Sequence, residues 1–162
     1  RGAAPLLGAH VLSLGACLQT AIDAGGSRAE VALRDRAALL LGQTYWWGGL
    51  SPAGDPGRPA GVDCSGLVHL AYRASGIGVP RDSHEQFVKS SRLPDARALE
   101  PGDLVFLGTP DPDPVINHVM LYAGDGQVIE APATGQPVRR IPLADRLALE
   151  TTRQALFGTL LP

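Results

Sequence analysis

The chain has 162 residues, 44% of them hydrophobic, and a formal net charge of -2. That length suits one compact domain whose core needs no staples, and the near-neutral charge gives no reason to expect nucleic acid or an anionic membrane surface as partner. No run of 18 or more apolar residues offers a membrane span, and neither Cys-x-x-Cys nor His-Glu-x-x-His spacing occurs, so no metal or other cofactor is expected.

Residues 1–27 carry little pattern. The stretch 6–17 is apolar with one histidine, His10, and Leu14 to Cys17 resembles a bacterial lipoprotein cleavage box. A mature lipoprotein would have lost that piece, and the chain opens at Arg1 rather than at Met. Residues 1–27 therefore read as an N-terminal extension or the remnant of a preceding domain, closed by a linker, Ala24 to Ser27. The main domain is expected over 28–162. The only cysteines are Cys17 and Cys64; a disulfide between them would silence Cys64 as a nucleophile.

Ser27 can cap a helix over 28–41, with Val31, Leu33, Ala37, Leu40 and Leu41 apolar and Gly42 as its stop. An aromatic run follows at 44–49, holding both tryptophans, Trp46 and Trp47, and then a loop rich in glycine and proline at 51–61. Asp63 stands where it can cap a second helix from Cys64 to about Ser75. Cys64, Leu67, Val68, Ala71 and Tyr72 keep the spacing of one buried helix face. Asp82 or Ser83 can cap a short helix over 84–90. Strands are expected at 104–107, 118–123, 127–131, 138–141 and 156–160, with Gly124 to Gly126 as a three-residue hairpin loop. Helices come first and antiparallel strands second. The fold class is α+β, with the N-terminal helices packed on one side of an antiparallel meander.

Cys64 is the residue with the most chemistry. At a helix N-terminus a thiol feels unpaired N–H groups and the positive end of the helix dipole, and both favour the nucleophilic thiolate. Its place on the apolar stripe equally suits a buried structural cysteine. Among the histidines, His69 projects off the face that carries Cys64, and His84 lies near a helix start. His118 opens a strand directly after a proline-rich loop, where a scaffold edge can present a base. With the three-residue loop, Ala123 faces Gln127, Tyr122 faces Val128 and Met120 faces Glu130. His118 and Glu130 then share a face as diagonal neighbours. Glu130 there either points to water or accepts a hydrogen bond from the imidazole.

Four motifs occur in order. They are Tyr45, Trp47, Gly48 and Gly49; Asp63, Cys64, Ser65 and Gly66; 101–106 (Pro-Gly-Asp-Leu-Val-Phe); and 118–124 (His-Val-Met-Leu-Tyr-Ala-Gly). Together they resemble the NlpC-type family of papain-like cysteine peptidases, which cut bacterial cell-wall peptides. The resemblance covers about 31–160. It implies a papain-like fold, Cys64 as nucleophile, His118 as general base and Glu130 in the third position, where the family usually has another histidine. It also implies Tyr45 at the oxyanion and Trp47 in the groove.

A narrower resemblance, carried by Pro80 to Ser83 with Gln86, is to the branch that cuts γ-D-glutamyl–diamino acid bonds. It implies that Ser65, Asp82 and Ser83 line the pocket for the first residues of the peptide, with Asp82 pairing a free α-amine. A capping role is the competing account of Asp82. The implied partners are peptidoglycan stem peptides or muropeptides, and an SH3-like domain in front of the catalytic domain of the full-length protein. The implied location is the cell envelope or the exterior, with a cytoplasmic recycling role as a second option. The loop at 51–60 is longer than the usual spacer and is expected to form a rim or lid. Two other readings stay open: a Cys–His amidase or acyltransferase acting on another acyl group, and a catalytically silent wall-binding module or interaction domain.

Overall fold

A computed structural model describes residues 28–162 apart from Asp55 and Arg58, with the side chains of 28–32 left aside. The expectations for 1–27, including Cys17, His10 and the Ser27 cap, lie outside the described residues. Four α-helices are seen among these residues: α1 (Arg28–Ala38), α2 (Cys64–Ala74), α3 (Ser83–Lys89) and α4 (Leu143–Ala148). Eight strands accompany them: β1 (Leu50–Ser51), β2 (Gly61–Val62), β3 (Ser91–Leu93), β4 (Leu104–Gly108), β5 (Ile116–Gly124), β6 (Gln127–Glu130), β7 (Arg139–Pro142) and β8 (Gln154–Thr159).

Six of the strands form one antiparallel sheet in the order β3-β8-β4-β5-β6-β7. The run β4 to β7 is the expected meander. The final strand β8 does not extend that meander but returns to lie between β3 and β4. Pro142 closes β7, an edge strand, where a missing N–H leaves no ladder bond unmade.

Alternation along the strands divides the core in two. Leu104, Phe106, Val119, Leu121 and Ile129 pack against Leu33 and Ala37 of α1, Leu67, Val68, Ala71 and Tyr72 of α2, and Phe87 of α3. Val105, Leu107, Met120 and Val128 point the other way and are covered by Leu143 and Leu147 of α4, with Leu93, Ile141 and Phe157. The N-terminal helices thus take one side of the sheet as expected. The opposite side has a helix of its own, α4, which only six residues after a proline left without a visible period in the sequence.

Helix α1 stops at Ala38 rather than Leu41. Leu40 and Leu41 bond back three residues, to the carbonyls of Ala37 and Ala38, which tightens the chain into turns. The 51–61 loop is flanked by β1 and β2, which pair with each other, so it is the tip of a small hairpin. In the main hairpin Tyr122 does face Val128, with Leu121 against Ile129, but Gly124 rather than Ala123 faces Gln127. The expected three-residue loop is a tighter turn preceded by a bulge at Ala123. Gly124, Asp125 and Gly126 all have positive φ, as a tight hairpin of this kind requires.

Helix α2 is anchored by Tyr72. Its hydroxyl donates to the carbonyl of Gly102, 2.7 Å away, in the turn that launches β4. Burial and the neighbouring Asp103 hold that phenol far above its ordinary range, so it remains a donor. Tyr72→Phe leaves the Gly102 carbonyl without this partner. We expect a loss of about 1–2 kcal/mol, read as a lowered urea midpoint at unchanged m-value.

Candidate active site

Asp63 builds the floor of the site. Its carboxylate caps α2 by accepting from Gly66 N at 2.7 Å, and it accepts from Gly48 N at 2.9 Å. The Arg81 guanidinium donates to it at 2.9 Å and also reaches Ser65 Oγ at 2.9 Å and the Gly49 carbonyl at 3.1 Å. The helix N-terminus, the aromatic run and the 80–83 segment therefore meet at one side chain. Backbone bonds from Trp46 N to the Val62 carbonyl and from Val62 N to the Thr44 carbonyl lock the aromatic run alongside. Packing is so close that a Cβ on Gly66 would overlap the Gly49 carbonyl and sit 2.8 Å from Asp63 Oδ1.

Cys64 occupies the first position of α2, half-buried and free of any disulfide. His118, only 4% exposed, stands on β5 next to a bulge at Asn117, where Leu107 faces His118 but Gly108 faces Ile116. Bulges of this kind re-aim neighbouring side chains. Its Nε2 lies 2.7 Å from Oε2 of Glu130, a fully buried residue at the end of β6. The sequence expectation that His118 and Glu130 share a face holds, and the bulge at Ala123 lies outside the ladder that joins them.

Glu130 has further partners. Arg139 donates to Oε1 through Nε and Nη2, at 3.0 and 2.7 Å. Arg146 of α4 donates through Nε to Oε1 and Oε2, at 2.9 and 3.0 Å. Burial alone would raise the carboxyl; the hydrogen bond and charge of His118, with Arg139 and Arg146, outweigh it and hold Glu130 at about 2. An ionised carboxylate only accepts, so Nε2 of His118 must carry the proton. Nδ1 is then left, in the neutral ring, with a lone pair, and Cys64 is the other side chain close enough to act on the ring. Burial pushes the His118 imidazole down, but hydrogen bonds to Cys64 and Glu130, and their charges, carry it above its ordinary value. The imidazolium form is favoured between these two partners.

A groove of about 560 Å³ opens over this line, walled by Tyr45, Trp47, Gly48, Asp63, Cys64, Ser65, Arg81, Asp82, Ser83, Ile116 and Asn117. All the residues singled out from the sequence as lining the site are gathered here. Tyr45 is buried; burial, then the nearby Cys64 and Asp63, raise its phenol against the opposing Arg81, so it presents an O–H. Trp47 is 82% exposed and is shared with an adjoining cavity of about 490 Å³ lined also by Trp46, Gly57 and Pro59, so the 51–60 loop reaches the neighbouring cavity rather than the groove wall. Asp82 caps α3 through Oδ1, accepting from His84 N and Glu85 N, while standing in the groove wall. The capping account of Asp82 is the one seen in its hydrogen bonds. The Ser65 hydroxyl is engaged by Arg81 and lies 3.4 Å from Asp63 Oδ1. Gln86 is buried and donates to the carbonyls of Ser65 and Pro80.

The other two histidines among the described residues are held by partners of their own. His69 Nδ1 pairs with the Val79 carbonyl, and His84 Nδ1 accepts from Ile116 N. Sequence reasoning missed Arg81, Asn117, Arg139 and Arg146. Arg81 lay inside a quoted motif. The other three carry no local signal, since their roles come from strand pairing and from α4. No cluster of metal-ligating side chains exists among the described residues.

Comparison with known proteins gives one consistent result. A family model described as the NlpC/P60 family matches residues 42–156. Over 110 residues the chain is 32% identical to the γ-D-glutamyl-L-lysine dipeptidyl-peptidase of Bacillus subtilis (strain 168), covering 68% of this chain and 34% of that protein. It is 37% identical over 131 residues to the murein DD-endopeptidase MepH of Escherichia coli (strain K12), covering 78% of this chain and 46% of that protein. The crystal structure of an NlpC/P60 family protein from Bacillus cereus superposes with a TM-score of 0.68 at 32% identity, over 82% of this chain and 40% of that one. The chain spans about a third of the length of the first curated relatives it matches.

The buried carboxylate makes an acid-stability prediction. Its folded value, about 2, lies below its ordinary 4.5. Glu130 therefore contributes fully above pH 4.5 and loses that contribution as pH falls through about 2. The contribution at neutral pH is roughly 3 kcal/mol. Glu130→Gln is expected to lower stability at pH 7 and to flatten the acid limb of stability against pH, measured by denaturant unfolding.

Proposed function

This chain belongs to the NlpC/P60 family, and on that premise we propose that it is a cysteine peptidase cutting the γ-D-glutamyl–diamino acid bond of bacterial cell-wall peptides. One observation carries the reading: a buried imidazole, hydrogen-bonded to a buried carboxylate, stands close to a thiol at a helix N-terminus that lines an open groove.

Cys64, as thiolate, attacks the γ-carbonyl of D-glutamate. The Cys64 backbone N–H, one of the unpaired donors of the first turn of α2, and the Tyr45 hydroxyl stabilise the tetrahedral oxyanion. His118 protonates the departing amine through Nδ1, leaving a thioester. It then takes a proton from water, which attacks the thioester and releases the thiol. Glu130 keeps the Nε2–H tautomer and orients the ring.

A γ-linked glutamate leaves its α-carboxylate free, and Arg81 is the guanidinium in the groove wall suited to it. The carboxylate of Asp82 suits the α-amine of a preceding residue, with Ser65 and Ser83 beside it. Trp47 supplies an apolar wall. The dipeptidyl-peptidase relatives support this choice of bond. The similarity to MepH supports a second reading, in which the same machinery opens the D,D-crosslink.

MepH is by name a murein endopeptidase, and we place this chain's action at the cell envelope or outside the cell. No helix among the described residues is long and apolar enough to cross a membrane.

Mass spectrometry of digested muropeptides tests the proposal. Wild type should release fragments ending in γ-D-glutamate, and Cys64→Ala should lower that rate by at least about a thousandfold. Conversion of crosslinked dimers to intact monomers would favour the second reading, and no new fragment of either kind would refute both.

A further inference from the structure

Arg146 is a side chain that the chemistry above does not use, yet it is the most buried cation near the site. It is 7% exposed. Its Nε donates to both oxygens of Glu130, and its Nη1 donates to Glu150 Oε2 at 3.1 Å. Glu150 is held in turn by Arg153, and Arg153 donates to Asn117 Oδ1 at 2.9 Å, in the groove wall beside His118. A chain of charges therefore runs from the base through α4 and back to the strand that carries the base.

We propose that Arg146 is a positioning residue for His118: it clamps Glu130 so that one oxygen always faces Nε2, and it draws off part of the negative charge that Glu130 would place on the imidazole. This rests on the reading that Cys64 and His118 are the reacting pair.

Two features argue that the clamp does more than fill space. The first is directional. Arg139 holds Oε1, Arg146 Nε bridges Oε1 and Oε2, and the bridged Oε2 is the oxygen that meets His118. A carboxylate so gripped cannot turn away between the two halves of the reaction. The second is electrostatic. His118 is faced by Cys64 from α2 and Glu130 from β6. Glu130 is faced by His118, by Arg139 from β7 and by Arg146 from α4, with Glu150 and Arg153 behind. With the imidazole neutral, three arginines stand against two glutamates. A proton on His118 adds a further positive charge to that group. The arginines thus limit how strongly Glu130 can trap the imidazolium, and a group that must both give and take a proton works best when neither form is trapped.

Arg146 and Glu150 should move His118 in opposite directions. Replacing Arg146 with Met removes a positive charge and concentrates Glu130 on the imidazole, so the His118 titration midpoint rises. Replacing Glu150 with Gln frees Arg146 to act on Glu130 alone, so the midpoint falls. Neither residue touches His118.

The test is an NMR titration of the His118 ring in isotopically labelled wild type, Arg146→Met and Glu150→Gln, each checked for cooperative unfolding. We expect a rise of about half a pH unit or more, roughly threefold in the proton-binding constant, for Arg146→Met, and a fall for Glu150→Gln. Should Arg146→Met fail to fold, the sign of the Glu150→Gln shift decides the matter by itself. Unmoved midpoints, or an upward shift in Glu150→Gln, overturn the proposal. The titration needs no substrate, so absence of peptide cleavage would count against the cell-wall reading alone.

Discussion

The carboxylate of Asp63 is the joint on which the site depends. A helix N-terminus leaves backbone donors unpaired, and a side-chain oxygen one residue ahead is the ordinary remedy. Here the same group also accepts from Gly48 and from Arg81. Three chain segments distant in sequence are thereby brought to the thiol: the aromatic run, α2 itself and the stretch leading into α3. The small residues around it follow from this convergence. Gly66 and Gly49 lie where backbone meets backbone too closely for a Cβ. The motif around Cys64 is a piece of packing before it is a piece of chemistry.

The second constraint is a charge with no access to water. Burying a carboxylate is costly unless hydrogen bonds and opposite charges replace its hydration. Glu130 receives one imidazole and two guanidiniums, drawn from β5, β7 and α4. That arrangement gives α4 a reason to exist beyond covering Val105 and Val128. The helix closes the second face of the sheet and delivers Arg146 to the fully buried carboxylate of Glu130.

Much of this was legible in the residues. The spacing from Cys64 to Tyr72 marked α2 and its buried face, and Asp63 was visibly its cap. Period-two alternation put His118 and Glu130 on one face although the turn was misjudged, because Tyr122 opposite Val128 was right and the error at Ala123 lay on the turn side of that pair. What escaped notice was long-range or short. Arg146 sits on a helix of six residues after a proline, too brief for any period to show. Arg139 reaches Glu130 only because β7 pairs with β6 in the register that sets the two opposite each other. Strand β3 is three residues long and pairs with β8, more than sixty positions away. No local pattern encodes such meetings; they belong to the folded sheet.

The position of β8 carries a consequence of its own. Strand β4, whose partner β5 bears His118, has β8 as its other neighbour, and β8 spans Gln154–Thr159. During synthesis every other strand of the sheet has left the ribosome before this one. Until it arrives, β3 has no partner in the sheet and β4 has only one, and pairings so distant in sequence are slow to form. The fold therefore carries a delay in its topology. The six-stranded sheet is completed only once β8 has been made, so the surface that backs the groove closes late.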